Sequence, residues 1–309
     1  MKIVFMGTPD YAVNTLNALI KDGHQVAAVF CQPDKPVGRK QILTPPPVKV
    51  CALENNIPVF QPNTLRDGKA YEILKEINPE VIVVVAYGKI LPKEILDLPK
   101  YGCVNGHASL LPKYRGSAPI QYAILCGETE TGVTTQLMDE GIDTGDILET
   151  VTTKIGEEET AEELFDRLAV LSADLMISTL EKLEKGEITP TPQNQNEATY
   201  APIIKKEMAK LDFTKTAADI HNAVRGYYSW PCAFFMLNGK RIKVLSAKLG
   251  DKTTKNSGTV IANGEELVIA CGNNTSIRLL SVQPEGSKPM TSKQMLCGNK
   301  IPLGTVVGE

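Results

Sequence analysis

Lys2-Ile-Val-Phe-Met6, followed by Gly7-Thr8-Pro9-Asp10, opens the chain as a short apolar strand that breaks at once into a helix start. Glycine permits the tight turn, Thr8 can cap the helix, Pro9 suits its first turn and Asp10 complements the positive end of the helix dipole. A helix over 9–22 ends near Gly23, and Gln25–Phe30 has the make-up of a buried strand. Strand, helix and strand in this order predict a doubly wound, Rossmann-like α/β sheet. The turn lacks G-x-G-x-x-G, so a dinucleotide is not indicated.

The alternation continues outward from that start. Helices are expected over 48–54, 67–77, 117–126 and 160–184, and strands over 80–86, 102–107, 132–138 and 147–155. The uninterrupted apolar run 80–86 suits a parallel strand buried on both faces. This sheet domain is expected to fill residues 1–190. Residues 191–205 are polar and proline-containing and suit a linker. Beyond them come a short helix over 217–224 and five short strands, over 232–237, 240–249, 258–262, 266–271 and 276–283. Turn signals such as Asn238-Gly239 and Asn263-Gly264 separate them, which predicts a small OB-like β-barrel over 206–309.

Charge divides the chain at the same place. Of 33 Lys+Arg and 36 Asp+Glu, residues 201–309 hold 15 and 8, and the first 200 residues hold 18 and 28. An acidic body followed by a basic module points to a polyanion partner, although a plain surface bias would look the same. The seven cysteines, at 31, 51, 103, 126, 232, 271 and 297, are scattered and form no Cys-x-x-Cys or Cys/His pair at metal spacing. Reduced thiols, a cytoplasmic location and no metal site are therefore expected. Apolar runs fall far short of the roughly 20 residues of a membrane span, and the start resembles no targeting peptide. A monomer away from membranes is the expectation.

Three segments could carry chemistry. The first is Cys103-Val-Asn-Gly-His-Ala-Ser-Leu-Leu-Pro112, running on to Lys113-Tyr-Arg-Gly-Ser117. Asn105 and His107 are two apart, so on a strand both side chains face one way. An amide donor beside an imidazole suits a developing oxyanion and a proton, though such a pair can equally be a hydrogen-bonded strand end. The second is Met138-Asp-Glu-Gly-Ile-Asp-Thr-Gly-Asp146, a tight loop with three aspartates, any of which could turn back to orient His107. The third is the irregular stretch 32–47, with five prolines and the cations Lys35, Arg39 and Lys40. Loops of about 15 residues inside a domain tend to be functional, the alternative being a proline-stiffened linker.

Asn105-x-His107, Ser109-Leu-Leu-Pro112, Tyr114-Arg-Gly116 and the Gly141–Gly145 loop together resemble the signature of the 10-formyltetrahydrofolate-dependent formyltransferases. The resemblance implies that Asn105, His107 and an aspartate 38 residues after the asparagine form the catalytic set, which selects Asp143. It also implies that Ser109, Leu110, Leu111 and Pro112 contact the folate. Phe5–Asp10, Gln32–Arg39, Val83–Gly88 and Arg225–Pro231 extend the resemblance over essentially the whole chain, to members that formylate initiator methionyl-tRNA. For those members the loop with Lys35, Arg39 and Lys40 is expected at the acceptor stem, and the basic second domain, Lys206 included, on the same RNA. Gly106 departs from the pattern, which commonly has a β-branched residue there. Rival readings are a formyltransferase for a small amine, or a binding protein that kept the fold without the chemistry.

Overall fold

Alternating apolar strands and amphipathic helices build a sheet whose strand order reverses beside β1, and that reversal places the site. In the computed structural model, which describes residues 1–38, 40–298 and 301–308, the chain starts with β1 (Lys2–Gly7), α1 (Asp10–Lys21) and β2 (Gln25–Phe30). Next come β3 (Lys35–Val37), β4 (Ile42–Thr44), α2 (Pro47–Glu54), β5 (Val59–Phe60), α3 (Lys69–Ile77) and β6 (Val81–Val85). Then follow α4 (Lys93–Leu96), β7 (Cys103–His107), β8 (Arg115–Gly116), α5 (Pro119–Leu125), β9 (Glu130–Leu137), β10 (Asp146–Lys154), α6 (Ala161–Lys185) and β11 (Tyr200–Ala201).

The main sheet runs β10-β9-β7-β6-β1-β2-β5. Neighbours from β7 to β5 are parallel, whereas β9 pairs antiparallel with β7. From β1 the chain moves outward to β2 and β5, then returns to β6 on the other side. Ligands of such sheets sit outside the carboxyl ends of the strands at this switch point. Val4, Met6, Ile82 and Val84 pack with Leu74 of α3 and Ile95 of α4 on one face. The other face carries α6, whose Ser172 and Met176 lie against Gly106 of β7. The sheet is thus covered on both sides, as the doubly wound reading requires.

Three local features differ from the expectations. Pro9 stands at the N-cap of α1 with no side-chain cap, and Thr8 works elsewhere. Its hydroxyl donates to the Tyr87 carbonyl at 3.1 Å and accepts from the Gln32 amide at 3.3 Å, which ties together the ends of β1, β2 and β6. Backbone groups at a switch point have lost their ladder partners and need others. The stretch 32–47 is not wholly irregular, because β3 and β4 pair antiparallel as an exposed hairpin. At its base Lys49 Nζ lies 2.9 Å from both Asp34 oxygens and 2.8 Å from Gln61 Oε1, and Gln61 returns a bond to Asp34. Lys49 and then Gln61 hold the Asp34 carboxyl below its usual range. Finally, the first half of 191–205 is no loose strap: Gln193 is buried and β11 pairs with β8.

Two compact units result. One comprises Met1–Pro119, Thr131–Thr153 and Phe165–Ala201, and the other comprises Ile120–Glu130, Lys154–Leu164 and Pro202–Glu309. The second contains α7 (Ala217–Gly226), β12 (Phe234–Leu237), β13 (Lys240–Leu249), β14 (Val260–Asn263), β15 (Leu267–Cys271), β16 (Thr275–Pro284), β17 (Met290–Thr291) and α8 (Ser292–Gly298). Thr216 and Asp219 form a reciprocal capping box at the start of α7. Its sheet runs β12-β13-β16-β15-β14, with β17 on β16, and every pair is antiparallel. Register shifts around Ser246 bend the long β13 against β16, which curls the sheet. This is the small curled β-domain expected from the strand spacing.

Gly106 gives a direct test of how β7 seats on α6. A Cβ added there would lie 2.9 Å from Ser172 Oγ, 3.5 Å from Met176 Cε and 3.6 Å from Val85 Cγ2. Gly106→Val should therefore lower the stability to denaturant by about 1–3 kcal/mol, the scale of overpacking a core. Adding Ser172→Ala removes the nearest atom and should recover part of the loss. Equal losses with and without the second substitution would show that α6 does not set the tolerance at this position.

Candidate active site

β7 emerges between β6 and β9 with Asn105 and His107 on one face and Gly106 on the other. Asn105 lies opposite Val84 of β6 and Gln136 of β9. Its Nδ2 donates one hydrogen to the Val84 carbonyl at 3.1 Å, and its Oδ1 accepts from Gln136 Nε2 at 3.2 Å. His107, 6% exposed, has Nε2 at 3.0 Å from the Tyr114 carbonyl and Nδ1 at 3.5 Å from Asp143 Oδ1. A carbonyl only accepts, so Nε2 carries a hydrogen.

Of the three aspartates in the loop after β9, only Asp143 makes this approach. Asp139 is exposed and accepts from Gly141 N and the Thr144 hydroxyl, which is plain turn chemistry, and Asp146 begins β10. Asp143 sits at φ 54°, in the left-handed region. Its Oδ2 accepts from Gly116 N at 2.8 Å and its Oδ1 from Gln136 Nε2 at 3.0 Å. Gln136 therefore bridges Asn105 and Asp143 through one amide. Sequence reasoning missed it. The available signal was the polar run Thr134-Thr135-Gln136 inside a strand buried on both faces. Arg115, to which the sequence assigns no role, is the largest fully buried side chain among the described residues.

The turn after β7 is locked internally. Ser109 is fully buried, its hydroxyl donating to the Lys113 carbonyl at 2.6 Å and its carbonyl accepting from Thr134 at 2.7 Å. Leu111 is buried, and Leu110 and Pro112 are half-buried. The Ser109 hydroxyl is thus committed to the turn, and the partly open residues are Leu110 and Pro112. Lys35 and Lys40 are exposed on the hairpin, and Lys206 is exposed in the second unit at the start of the turn Lys206–Ala209. Arg39 lies outside the described residues. The structure brings together Asn105, His107 and Asp143, beside the turn.

No thiol suits a nucleophile here. Burial pushes the Cys31 thiol up to about 11 and that of Cys103, at the start of β7, to about 12, so both stay protonated at neutral pH. Among the described residues no group of three or more His, Cys, Asp or Glu side chains is arranged to hold a metal ion. What the site offers is hydrogen-bond donation from an amide and an imidazole, backed by a carboxylate.

Comparison with known proteins agrees with that chemistry. The family described as formyl transferase matches residues 1–180, and the formyl transferase C-terminal domain matches residues 203–300. A methionyl-tRNA formyltransferase of Caldanaerobacter subterraneus is 47% identical over 309 residues, covering 99% of this chain and 100% of its own. One of Bacillus thuringiensis is 46% identical over 311 residues, covering 100% of this chain and 99% of its own. Among solved structures, an N-formyltransferase from Helicobacter canadensis, in complex with folinic acid and dTDP-3-aminofucose, superposes with a TM-score of 0.69 at 25% identity, over 92% of this chain and 99% of that one. A sugar 3N-formyl transferase in the presence of dTDP and 5-N-formyl-THF shares the fold, with a TM-score of 0.68 at 23% identity over 93% and 99% of the two chains. Matched in both domains and close to half identical to full-length relatives, the chain belongs to the formyl transferase family.

Proposed function

We propose that the protein transfers the formyl group of 10-formyltetrahydrofolate to the α-amino group of initiator methionyl-tRNA, giving N-formylmethionyl-tRNA, and that it acts as a cytoplasmic monomer. The observation that carries the chemistry is the meeting of Asn105, His107 and Asp143 at the carboxyl end of β7, across 38 residues of chain. All seven cysteines are free, in keeping with a reducing compartment. No described helix is long and apolar enough to cross a membrane.

The crevice suits a planar, hydrogen-bonding co-substrate. The loop leaving β6 turns through Ala86 at φ 46° and Gly88 at φ 79°, with both residues and Ile90 exposed. It begins just after Val84, the β6 partner of Asn105, and leaves the apolar Ile90 exposed. In the reaction the substrate amine forms a bond to the formyl carbon, and the bond from that carbon to nitrogen 10 breaks. The amine loses a proton and nitrogen 10 gains one. Between these events the formyl oxygen carries negative charge and needs preorganised donors. The second hydrogen of Asn105 Nδ2 supplies one donor, and the Nε2–H of His107 supplies the other by exchanging the Tyr114 carbonyl for the formyl oxygen. Asp143 orients the imidazole through Nδ1, and its own carboxylate is steadied by Gly116 N and Gln136 Nε2. No covalent enzyme intermediate is required.

Incubation with 10-formyltetrahydrofolate and charged initiator tRNA should yield formylmethionyl-tRNA, and absence of that product refutes the assignment. His107→Ala and Asp143→Asn should each lower kcat at least about 100-fold, the usual scale for losing an acid–base or oxyanion group. Folate binding, followed by titration, should change far less. Turnover within a few-fold of the parent in either variant would remove that residue from the catalytic set.

RNA binding is expected to draw on Lys35 and Lys40 of the hairpin, on Arg39, and on Lys206 of the basic segment 201–309. Arg241 and Lys243 of that segment line a groove with Gln283 and Glu285, and Arg241 stacks 4.0 Å over Phe234. Replacing Lys35, Lys40 or Lys206 by glutamine should weaken tRNA binding modestly and additively. Each should reduce the salt dependence of log K by up to about one unit. An unchanged salt slope would show that the lysine does not meet a phosphate.

A further inference from the structure

Asp143 does not hold its own geometry. A non-glycine residue in the left-handed region is strained, so the surroundings must impose that conformation. The restraint on its main chain comes from Gln193, 50 residues onward and 7% exposed. Gln193 Nε2 donates to the carbonyls of Asp143 at 2.9 Å and Gly145 at 2.6 Å. Its Oε1 accepts from Arg115 Nε at 3.1 Å and from Nη2 at 2.7 Å, while Arg115 Nη1 reaches Gln195 Oε1 at 2.8 Å.

The same segment controls the donor to the carboxylate. β11 pairs Tyr200 with Arg115 and Ala201 with Gly116, and Gly116 N is the group bonded to Asp143 Oδ2. Gly116 stands at φ 112°, and a Cβ there would lie 2.9 Å from the Ala201 carbonyl, so only glycine allows this approach. Residues 193–201 therefore grip Asp143 twice: at its backbone through Gln193, and at its side chain through Gly116.

We infer that Gln193, gripped by Arg115, is a positioning residue for the formyl transfer, setting the backbone of Asp143 so that its carboxylate faces His107. The choice of amide supports this over a purely structural role. Arg115 is 1% exposed, and Nε, Nη1 and Nη2 are met by neutral amide oxygens. A buried guanidinium would be better compensated by a carboxylate. Glutamate at 193 would provide one, but it could not donate to the carbonyls of Asp143 and Gly145. Glutamine satisfies the loop at the expense of the cation.

The inference rests on Asp143 being the partner of His107, so the test runs Gln193→Glu and Asp143→Asn side by side on the full chain. Gln193→Glu keeps an acceptor for Arg115 and replaces the two donors to the loop with a carboxylate oxygen that the carbonyls of Asp143 and Gly145 repel, a cost to stability that the ion pair with Arg115 offsets. It should unfold thermally close to the parent and bind folate as well, with KM for folate and for charged tRNA within about two-fold. Its kcat should fall about 10- to 100-fold, the scale of displacing a catalytic group by an ångström. Gln193→Asn, which adds no charge and keeps an amide one methylene short of the loop, should show the same split between kcat and KM if the carboxylate variant does not fold. A kcat within about three-fold of the parent in a folded Gln193 variant overturns the inference. So does a loss shared equally by kcat, folate binding and thermal stability, because that is the signature of a merely structural contact. Should Asp143→Asn itself retain activity, the catalytic reading of Asp143 falls first and takes this inference with it.

Discussion

The arrangement of this protein's candidate active site depends on one strand pairing, that of β7 with β9. Parallel pairing to β6 delivers the carboxyl end of β7 to the switch point, but only the antiparallel β9 puts Gln136 directly opposite Asn105. Side chains alternate along a strand, so a slip of one residue would turn Asn105 and His107 toward α6 and expose Gly106 in their place. The packing forbids that slip. Gly106 meets Ser172 and Met176 in a space with no room for a side chain. The residue that departs from the family pattern is thus what seats the strand closely on α6, while the reacting face is left unchanged.

Much of this was legible from residues alone, and the failures have a common cause. Strand–helix alternation fixed the first unit because each element repeats its period over several residues, as in the five buried residues of β6. The pairing of Asn105 with His107 was visible because an interval of two on a strand is a local rule. Selecting Asp143 among three aspartates in one loop needed family resemblance, since turn chemistry treats Asp139 and Asp143 alike. Gln136, Gln193 and the role of Arg115 escaped altogether. Gln193 bonds to backbone carbonyls, Gln136 to the side chains of Asn105 and Asp143, and Arg115 to those of Gln193 and Gln195, and such contacts across the fold leave no local motif. Thr8 was misassigned for a related reason: a hydroxyl before a helix looks like a cap until the ends of two other strands compete for it. The hairpin β3–β4 was hidden because strands of three residues, one of them Pro36, are too short to carry a periodic signal and are flanked by further prolines.

The two kinds of buried polar group in the first unit make different demands. Ser109 and Thr134 close a neutral loop of hydrogen bonds, and each lost contact in such a loop is worth about 1 kcal/mol net. Arg115 is a charge out of water, and removing its partners leaves a far larger penalty. The neutral bonds fix the turn after β7, whereas the cation fixes the loop that carries the carboxylate. The group whose position matters most for orienting His107 is consequently tied to the contact that is hardest to break.

The hairpin poses the opposite problem. Val37, Ile42 and Leu43 are 55%, 61% and 64% exposed on two three-residue strands, and an isolated two-stranded ribbon is marginal in water. Its order must come from the base, where Lys49 is shared between Asp34 and Gln61 and Gln61 also binds the Gln32 carbonyl. Gln32 in turn donates to the Tyr87 carbonyl that Thr8 also holds. One chain of bonds therefore runs from the switch point of the sheet to the foot of the hairpin. The foot is fixed to the sheet, while Lys35, Lys40 and the apolar Val37, Ile42 and Leu43 stand exposed. Exposed apolar residues on a pinned base are stable only if water is tolerated there or a partner covers them, and the exposed lysines beside them suit the polyanionic substrate proposed above.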